Sequence, residues 1–344
     1  MTFKAELLLL LSAALAQAFD PAVIKLPELN IEGSVTASGL SSGAFMAVQM
    51  HIAHSKVING TAIFAGGGFF CAQGSLLIAE EKCMYGLLGG PSTEFLIEYT
   101  RNQAVLKTID SPTNLLDDKV FIFSGSKDTV VSPNVVRELE DYYKAFVKPS
   151  NILSKYDLSA EHCIPTLDYG EKCSTLSSPY IGDCAYDGAG VALQQLYAGL
   201  TAPTSADYSK SSNLYAFSQT EFFPTGTSGQ SISLGDTGYI YIPTACADKV
   251  ACRLHMSFHG CSQNLHDIGN DYALNGGFNG WAEANNVVIV YPYALANVQL
   301  GNPNACWDWW GYTDAFIGEF KYTLQSGPQM QFAKSMLDRV MGTA

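Results

Sequence analysis

The chain has 344 residues, a formal net charge of −13, 47% hydrophobic residues and only 15% charged residues. This composition supports a sizeable buried core and excludes a disordered chain. It also argues against nucleic-acid binding, because phosphate contacts need clustered basic side chains and the chain has only 19 lysines and arginines.

The first segment has the pattern of a secretory signal peptide. Lys4 precedes an apolar run at residues 7–16, and Ala16-Gln17-Ala18 offers the small-x-small pattern that signal peptidase cuts after. A membrane anchor is the alternative, but the run is about half of what a bilayer span needs. We therefore expect residues 1–18 to be a signal peptide and the mature protein to be secreted and extracellular.

Short apolar runs alternate with helical patterns along the rest of the chain. The runs predict strands at residues 34–37, 61–65, 119–123, 152–156, 239–242, 254–258 and 287–291. Helices are predicted at residues 43–55, 134–146, 189–199 and 280–285. Several strands are apolar on both faces, which is typical of parallel strands covered by helices. The pattern predicts an α/β fold with a mainly parallel sheet.

We expect residues 19–344 to form one domain, because the sequence contains no repeat and no linker followed by a second module. The loosest stretch is residues 200–229, which is rich in Ser, Thr and Gly. It is predicted to be a long surface connection, with a domain boundary as the alternative.

The segment Gly39-Leu40-Ser41-Ser42-Gly43 follows a predicted strand and opens a predicted helix. Glycines two before and two after a serine relieve the close backbone contacts of a tight strand-to-helix turn, which lifts the hydroxyl above the sheet. We predict that Ser41 is a nucleophile and that the N–H of Ser42 is one oxyanion donor. A plain glycine-rich turn is the alternative.

A serine nucleophile needs a base and an orienting acid, which in hydrolases of this kind follow later strands in the order Ser, Asp, His. Asp128 and His162 each follow a predicted strand and are the candidates for these roles. A turn residue that caps the next helix is the alternative for Asp128. His259, which directly follows another strand, is the main rival for the base.

The turn His259-Gly260-Cys261 comes late in the chain. In such hydrolases a His-Gly turn often follows an early strand, and its N–H gives the second oxyanion donor. Rotating the chain order recovers the usual sequence of motifs, so we interpret the chain as circularly permuted. Cys261 then supplies the second oxyanion N–H and His259 is structural. The other histidines are expected to be structural or solvated: His51, His54, His255 and His266.

Nine cysteines follow the signal segment, and the absence of a C-x-x-C pair disfavours a zinc or thioredoxin-like site. In an oxidising compartment they should pair and leave one over. Neighbouring positions suggest three bridges: Cys71–Cys83, Cys173–Cys184 and Cys246–Cys252. Asn59 lies in the sequon Asn59-Gly60-Thr61 and is a candidate for glycosylation.

Seven short motifs carry a resemblance to a known family. They are VTASGLSSG at 35–43, FAGG at 64–67, SGSKDT at 124–129, SPYI at 178–181, CAYDGAG at 184–190, HGC at 259–261 and CWDW at 306–309. Together they span about residues 34–310 and resemble the fungal extracellular polyhydroxybutyrate depolymerases, which are single-domain, circularly permuted α/β-hydrolases. The segment 71–101 shows little likeness.

The resemblance implies roles for individual residues. By it, Ser41, Asp128 and His162 match the catalytic triad. Two further residues, Ser42 and Cys261, match the oxyanion donors. It also implies a Cys261–Cys306 disulfide, which would leave Cys163 unpaired.

The resemblance further implies a monomeric serine esterase that cleaves polyhydroxybutyrate or similar short-chain polyesters through an acyl-enzyme, with no metal or cofactor. A feruloyl or acetyl esterase acting on plant polysaccharide is one alternative, and a catalytically silent secreted binding protein on the same fold is another. Trp307 and Trp309, with the neighbouring Trp310, are expected to line the substrate crevice. Their alternative is a role as core aromatics.

Overall fold

The computed structural model describes residues 21–87, 91–208, 210–314, 316 and 318–343. The predicted signal peptide at residues 1–18 lies outside these ranges. The strands are β1 (Ile31–Leu40), β2 (Ile58–Phe64), β3 (Lys119–Phe123), β4 (Ile152–Lys155), β5 (Ile164–Thr166), β6 (Glu171–Lys172), β7 (Ile181–Asp183), β8 (Leu214–Ser218), β9 (Thr237–Tyr241), β10 (Cys252–Phe258) and β11 (Val287–Tyr291).

The α-helices are α1 (Ser42–Ala53), α2 (Leu76–Ile78), α3 (Thr93–Val105), α4 (Pro133–Lys144), α5 (Gly188–Leu196), α6 (Ser205–Tyr208), α7 (Gly229–Ile232), α8 (Thr244–Ala247), α9 (Leu265–Ile268), α10 (Asp271–Asn275), α11 (Phe278–Asn285) and α12 (Pro328–Met341). A π-helical turn covers Ala79–Met84. Short 3-10 helices cover Pro112–Asp117, Pro149–Asn151, Ser211–Asn213, Thr220–Phe222, Val298–Leu300 and Lys321–Thr323.

Eight strands form one sheet in the order β4-β3-β2-β1-β10-β11-β9-β8. Only β9 runs antiparallel to its two neighbours, while the other pairs are parallel. The apolar strand β11 is buried at every position, as expected for a parallel strand covered by helices. The predicted α/β class with a mainly parallel sheet is confirmed.

The order of the strands in the sheet also shows the predicted circular permutation of the chain. When the chain is followed from β8 to β11 and then from β1 to β4, the strands occupy the sheet in the order first, second, fourth, third, fifth, sixth, seventh and eighth. The second strand, β9, is the antiparallel one. This is the arrangement of the α/β-hydrolase fold, with the fifth strand placed first in the chain.

A short part of the loose stretch at residues 200–229 belongs to the sheet. It contains β8, which pairs with β9 from Leu214–Tyr241 to Ser218–Thr237. The predicted surface connection is therefore interrupted by an edge strand of the main sheet. Buried hydrophobic residues form one core cluster that includes both Leu26 and Val340.

The helices pack on the sheet as their sequences dictate. Every residue of α1 is buried, because this helix is apolar nearly all round. Helix α12 is not among the predicted helices, although both its ends carry typical signals. Pro328 stands in its first turn, and Gly342, whose φ is 68°, directly follows its last residue. Within the part of the chain that the structure describes, no helix is long and apolar enough to span a membrane.

Candidate active site

The nucleophile turn is strained and tightly held. Ser41 has φ 56° and ψ −122°, a conformation that costs a non-glycine residue about 1–3 kcal/mol. Its N–H donates to Phe64 O at 2.9 Å, and its carbonyl accepts from the Phe45 N–H at 3.0 Å. Surrounding backbone therefore fixes a serine at the end of β1 in the geometry of a nucleophile elbow.

Both glycines of this turn are required by close backbone packing. A Cβ on Gly39 would lie 2.2 Å from the carbonyl oxygen of Gly43. A Cβ on Gly43 would lie 2.2 Å from Phe258 O and 2.4 Å from His259 O. The start of α1 therefore rests directly on the end of β10, which brings the His-Gly turn beside Ser41.

The predicted acid and base are paired. His162 Nδ1 lies 2.8 Å from Asp128 Oδ2, and the two side chains are 6% and 1% exposed. The other carboxylate oxygen of Asp128 accepts from the N–H groups of Val130 and Val131 at 2.9 and 2.8 Å. Asp128 thus caps a turn with one oxygen and orients the imidazole with the other. Because Nδ1 faces this carboxylate, the arrangement leaves Nε2 for the predicted role as a base.

One cavity of about 430 Å³ is lined by several of the predicted site residues. Because β1, β3, β4 and β10 are parallel, the loops at their carboxyl ends meet at one edge of the sheet. The cavity is lined there by Ser41, His162, Gly260 and Cys261. A Cβ on Gly260 would lie 3.3 Å from the Cβ of Ser41, so the His-Gly turn flanks the predicted nucleophile. The oxyanion roles of Ser42 and Cys261 stay predictions.

Aromatic rings form part of the cavity wall. Trp309 stacks on Phe45 with ring centroids 4.0 Å apart, and Trp310 meets Trp309 edge-on at 5.6 Å. Both tryptophans line the cavity. The walls are therefore suited to apolar chains or aromatic groups, while substrate binding by Trp309 stays a prediction.

The structure corrects the expectation for Trp307. Its side chain is 0% exposed and packs edge-on against Phe258 at 5.0 Å, beneath the site. It does not belong to the cavity lining. Its backbone N–H instead donates to Ser42 Oγ at 3.3 Å. Trp307 therefore supports the start of α1 from within the core, which is the alternative that the sequence left open.

His259 is held in a structural position. Its Nδ1 lies 2.6 Å from Gly260 O, and its Nε2 accepts from the Ala294 N–H at 3.0 Å. Burial lowers its pKa to about 4, so the ring is neutral near pH 7. A ring with both nitrogens occupied cannot take a proton from Ser41, which favours His162 as the base.

The other histidines lie outside the cavity lining. His51 is buried and its Nε2 lies 3.1 Å from Asp118 Oδ2. Burial lowers the pKa of His255 to about 3 and that of His54 to about 4. The side chain of His266 is 92% exposed.

The four disulfides found are Cys71–Cys83, Cys173–Cys184, Cys246–Cys252 and Cys261–Cys306. Cys163 is free and buried. Burial, with the charges of Asp128 and Glu161, raises its thiol pKa to about 12, so it is a protonated hydrophobe rather than a nucleophile.

Asn59 is exposed, and its glycosylation stays a prediction. The described part of the chain holds no cluster of three or more His, Cys, Asp or Glu residues that could bind a metal.

Two buried polar residues at the site are absent from the sequence predictions. Gln263 accepts the Gly260 N–H at 2.6 Å and donates to Pro179 O at 2.8 Å, tying the His-Gly turn to a neighbouring loop. Glu161 lies next to His162 and accepts its backbone N–H at 3.0 Å. Neither belongs to a motif with a known mechanism. Their only sequence signal is closeness along the chain to a predicted site residue.

An α/β-hydrolase sheet with a strained serine turn, a His–Asp pair and an apolar cavity has the features of the serine hydrolase class. No family model matches the chain. The chain is 42% identical over 323 residues to a poly(3-hydroxybutyrate) depolymerase of Delftia acidovorans, covering 93% of this chain and 62% of that protein. It is 37% identical over 310 residues to a polyhydroxybutyrate depolymerase of Talaromyces funiculosus, covering 85% and 86%.

Two solved structures are similar over nearly the whole chain. The PHB depolymerase from Penicillium funiculosum has a TM-score of 0.81 and 31% identity, covering 93% of this chain and 99% of that one. A serine-to-alanine PHB depolymerase complexed with an R3HB trimer has a TM-score of 0.80 and 32% identity, with the same coverage. The chain belongs to the polyhydroxybutyrate depolymerase family. The predicted resemblance is confirmed, although the chain spans only 62% of the length of the Delftia relative.

Proposed function

We propose that this protein is a serine esterase that hydrolyses polyhydroxybutyrate or similar short-chain polyesters through an acyl-enzyme on Ser41. The observation that carries the proposal is that Ser41 and His162 line the same cavity, with His162 Nδ1 lying 2.8 Å from Asp128 Oδ2. The polyester substrate is supported by two relatives and two structural neighbours that are all named as depolymerases of this polymer.

The mechanism follows from these positions. His162 Nε2 takes the proton of Ser41 Oγ as the oxygen attacks the ester carbonyl, and Asp128 stabilises the imidazolium that forms. The N–H groups of Ser42 and Cys261 bind the oxyanion, an effect commonly worth about 3 kcal/mol per donor. The alcohol then leaves with the proton from His162. Water, activated by the same base, releases the hydroxy acid from Ser41.

We also propose that the protein acts outside the cell as a monomer built from one catalytic domain at residues 19–344. Four disulfides support an oxidising compartment, because such bonds rarely persist in the cytosol. The exposed position of Asn59 is compatible with its glycosylation.

The experiment compares three esters on the purified protein: amorphous polyhydroxybutyrate, p-nitrophenyl butyrate and methyl ferulate. We expect soluble hydroxybutyrate products from the polymer, and none from Ser41→Ala. Cleavage of methyl ferulate without release from the polymer would favour the feruloyl esterase alternative, for which the stacked rings of Phe45 and Trp309 could hold an aromatic acyl group. Inactivity on all three esters would favour a binding protein.

A further inference from the structure

Glu161 bridges the two loops that carry the acid and the base. Its Oε1 accepts from Thr129 Oγ1 at 2.9 Å, and its Oε2 accepts from the Thr129 N–H at 3.2 Å and from the His162 N–H at 3.0 Å. Thr129 directly follows Asp128 in the chain. The carboxylate therefore fixes the spacing between the residue after the acid and the backbone of the base.

This carboxylate is buried without a cationic partner at its oxygens. Glu161 is 9% exposed, and the three donors that it accepts from are all uncharged. Burying a carboxylate away from water carries a desolvation penalty. A neutral amide could make the same bridge at a lower cost. The presence of a charge here calls for a role that a bridge alone does not explain.

Titratable groups stand next to both ends of the Glu161 bridge. Asp128 and His162 lie on the loops that it joins, and Cys163 follows His162. Burial, with the charges of Asp128 and Glu161, raises the pKa of the Cys163 thiol. The nearest lysines along the neighbouring segments, Lys127 and Lys172, are exposed to solvent.

We propose that Glu161 is a positioning residue that holds His162 and places a second negative charge beside its imidazolium in the transition state. The proposal rests on the proposed function, because it requires His162 to be the base. Asp128 orients the ring through Nδ1, whereas Glu161 holds the backbone N–H of His162 and adds a second negative charge. Charges in a partly buried site are screened less than in bulk water, so a carboxylate bound to the backbone of His162 can act on the charge of its side chain.

The central variant is Glu161→Gln, which removes the charge and can keep the bridge. The amide oxygen can accept the two backbone N–H groups, and the amide nitrogen can donate to Thr129 Oγ1, whose hydroxyl turns to accept. We expect kcat on p-nitrophenyl butyrate to fall about tenfold, with KM within about twofold and thermal stability near that of the parent. Because a nearby anion favours the protonated imidazole, the acidic limb of kcat/KM against pH should move to lower pH.

Two matched variants separate charge from structure. Thr129→Val removes the hydroxyl partner and keeps the charge, so it should lower stability without moving the acidic limb. Glu161→Asp keeps the charge on a shorter side chain, so kcat should fall while the limb stays near the parent's pH. Glu161→Asp also tests the proposal if Glu161→Gln does not fold. An acidic limb of kcat/KM that moves to lower pH in Glu161→Asp would contradict the role of charge.

The outcomes distinguish this proposal from the proposed function. Unchanged kcat and an unmoved acidic limb in a folded Glu161→Gln protein would overturn the positioning role while leaving the esterase intact. If the parent protein cleaves no ester, or if His162→Gln stays active, the proposed function fails first. A lower melting temperature with parental kinetics would show Glu161 to be a structural bridge only, which also overturns the proposal.

Discussion

The backbone N–H of Ala294 donates to Nε2 of His259 at 3.0 Å, so the ring nitrogen that a base would need is already bound. His259→Gln should therefore act on stability more than on catalysis. Loss of a buried hydrogen-bonding ring leaves partners unsatisfied and costs about 1–3 kcal/mol. We expect a lower melting temperature, with kcat on p-nitrophenyl butyrate within about tenfold of the parent.

His162→Gln is the matched comparison. Removal of a triad base typically costs about 10⁴-fold or more in kcat. The activity of His162→Gln is compared at a temperature where it is folded, because loss of the imidazole also removes the partner of Asp128 Oδ2. An inactive His259→Gln beside an active His162→Gln would reverse the assignment of the two histidines.

Gln263 should support catalysis by holding the His-Gly turn. Gln263→Leu keeps the side-chain volume but leaves the Gly260 N–H and Pro179 O without their partner. We expect a fall of about tenfold in kcat and little change in KM, because an oxyanion donor acts mainly in the transition state. Gln263→Glu retains the acceptor for Gly260 but places a buried carboxylate against Pro179 O, so it should lower thermal stability. Equal losses in kcat and in affinity for substrate would argue against an effect on the oxyanion site.

The disulfides should differ in their effect on activity. Cys261–Cys306 closes a separation of 45 residues and both its cysteines line the cavity, whereas Cys246–Cys252 closes 6 residues outside its lining. Removing a native disulfide commonly costs about 2–5 kcal/mol, with larger effects expected for longer loops. The double variant Cys261→Ala/Cys306→Ala should lose more kcat and more thermal stability than Cys246→Ala/Cys252→Ala. Similar kinetics in the two proteins would contradict a role of the bridge at the site.

Acid should weaken the fold through its buried histidines. Burial lowers the pKa of His54 from 6.5 to about 4, and the described structure gives its Nε2 no hydrogen-bond partner. Between pH 4 and pH 6.5, His54 therefore binds a proton in the unfolded chain but not in the folded chain. The stability from this group is present above pH 6.5 and is lost as pH falls towards 4, by at most about 1.4 kcal/mol per pH unit.

His54→Phe removes this titration and the unpartnered nitrogen. The free energy of unfolding of the variant, minus that of the parent, should rise as pH falls from 6.5 to 4. Burial raises the pKa of Asp314 to about 7, so its contribution to stability grows as pH falls. This contribution is the same in both proteins and cancels in the difference. A difference that stays constant over this range in urea titrations would contradict the account.

The sequence carried enough information to identify the turn around Ser41, because its glycines, strand and helix are all local signals. It also indicated the permutation, since the order of the elbow and the His-Gly turn is visible in the chain. Helix α3 escaped the periodicity analysis because only Leu96 and Thr100 are buried among its residues. A helix that buries so little has no apolar stripe to detect.

The positions of individual side chains around the site could not be derived in this way. Three tryptophans lie within residues 307–310, yet Trp307 faces the core while Trp309 and Trp310 face the cavity. That difference depends on the path of an irregular segment, which no periodicity specifies. The contacts of Glu161 and Gln263 likewise join segments that are far apart in the chain, 32 and 84 residues in the two cases.

The central claim is that Ser41 forms the acyl-enzyme, and peptide mass mapping tests it most directly. The purified protein is treated with a serine-directed phosphonate, and hydrolysis of polyhydroxybutyrate is followed on the same samples. We expect one phosphonate on the peptide that contains Ser41, with polymer hydrolysis lost in proportion to labelling. The His162→Gln protein should be labelled more slowly than the parent. Labelling of another residue, or polymer hydrolysis that survives full labelling of Ser41, would contradict the account.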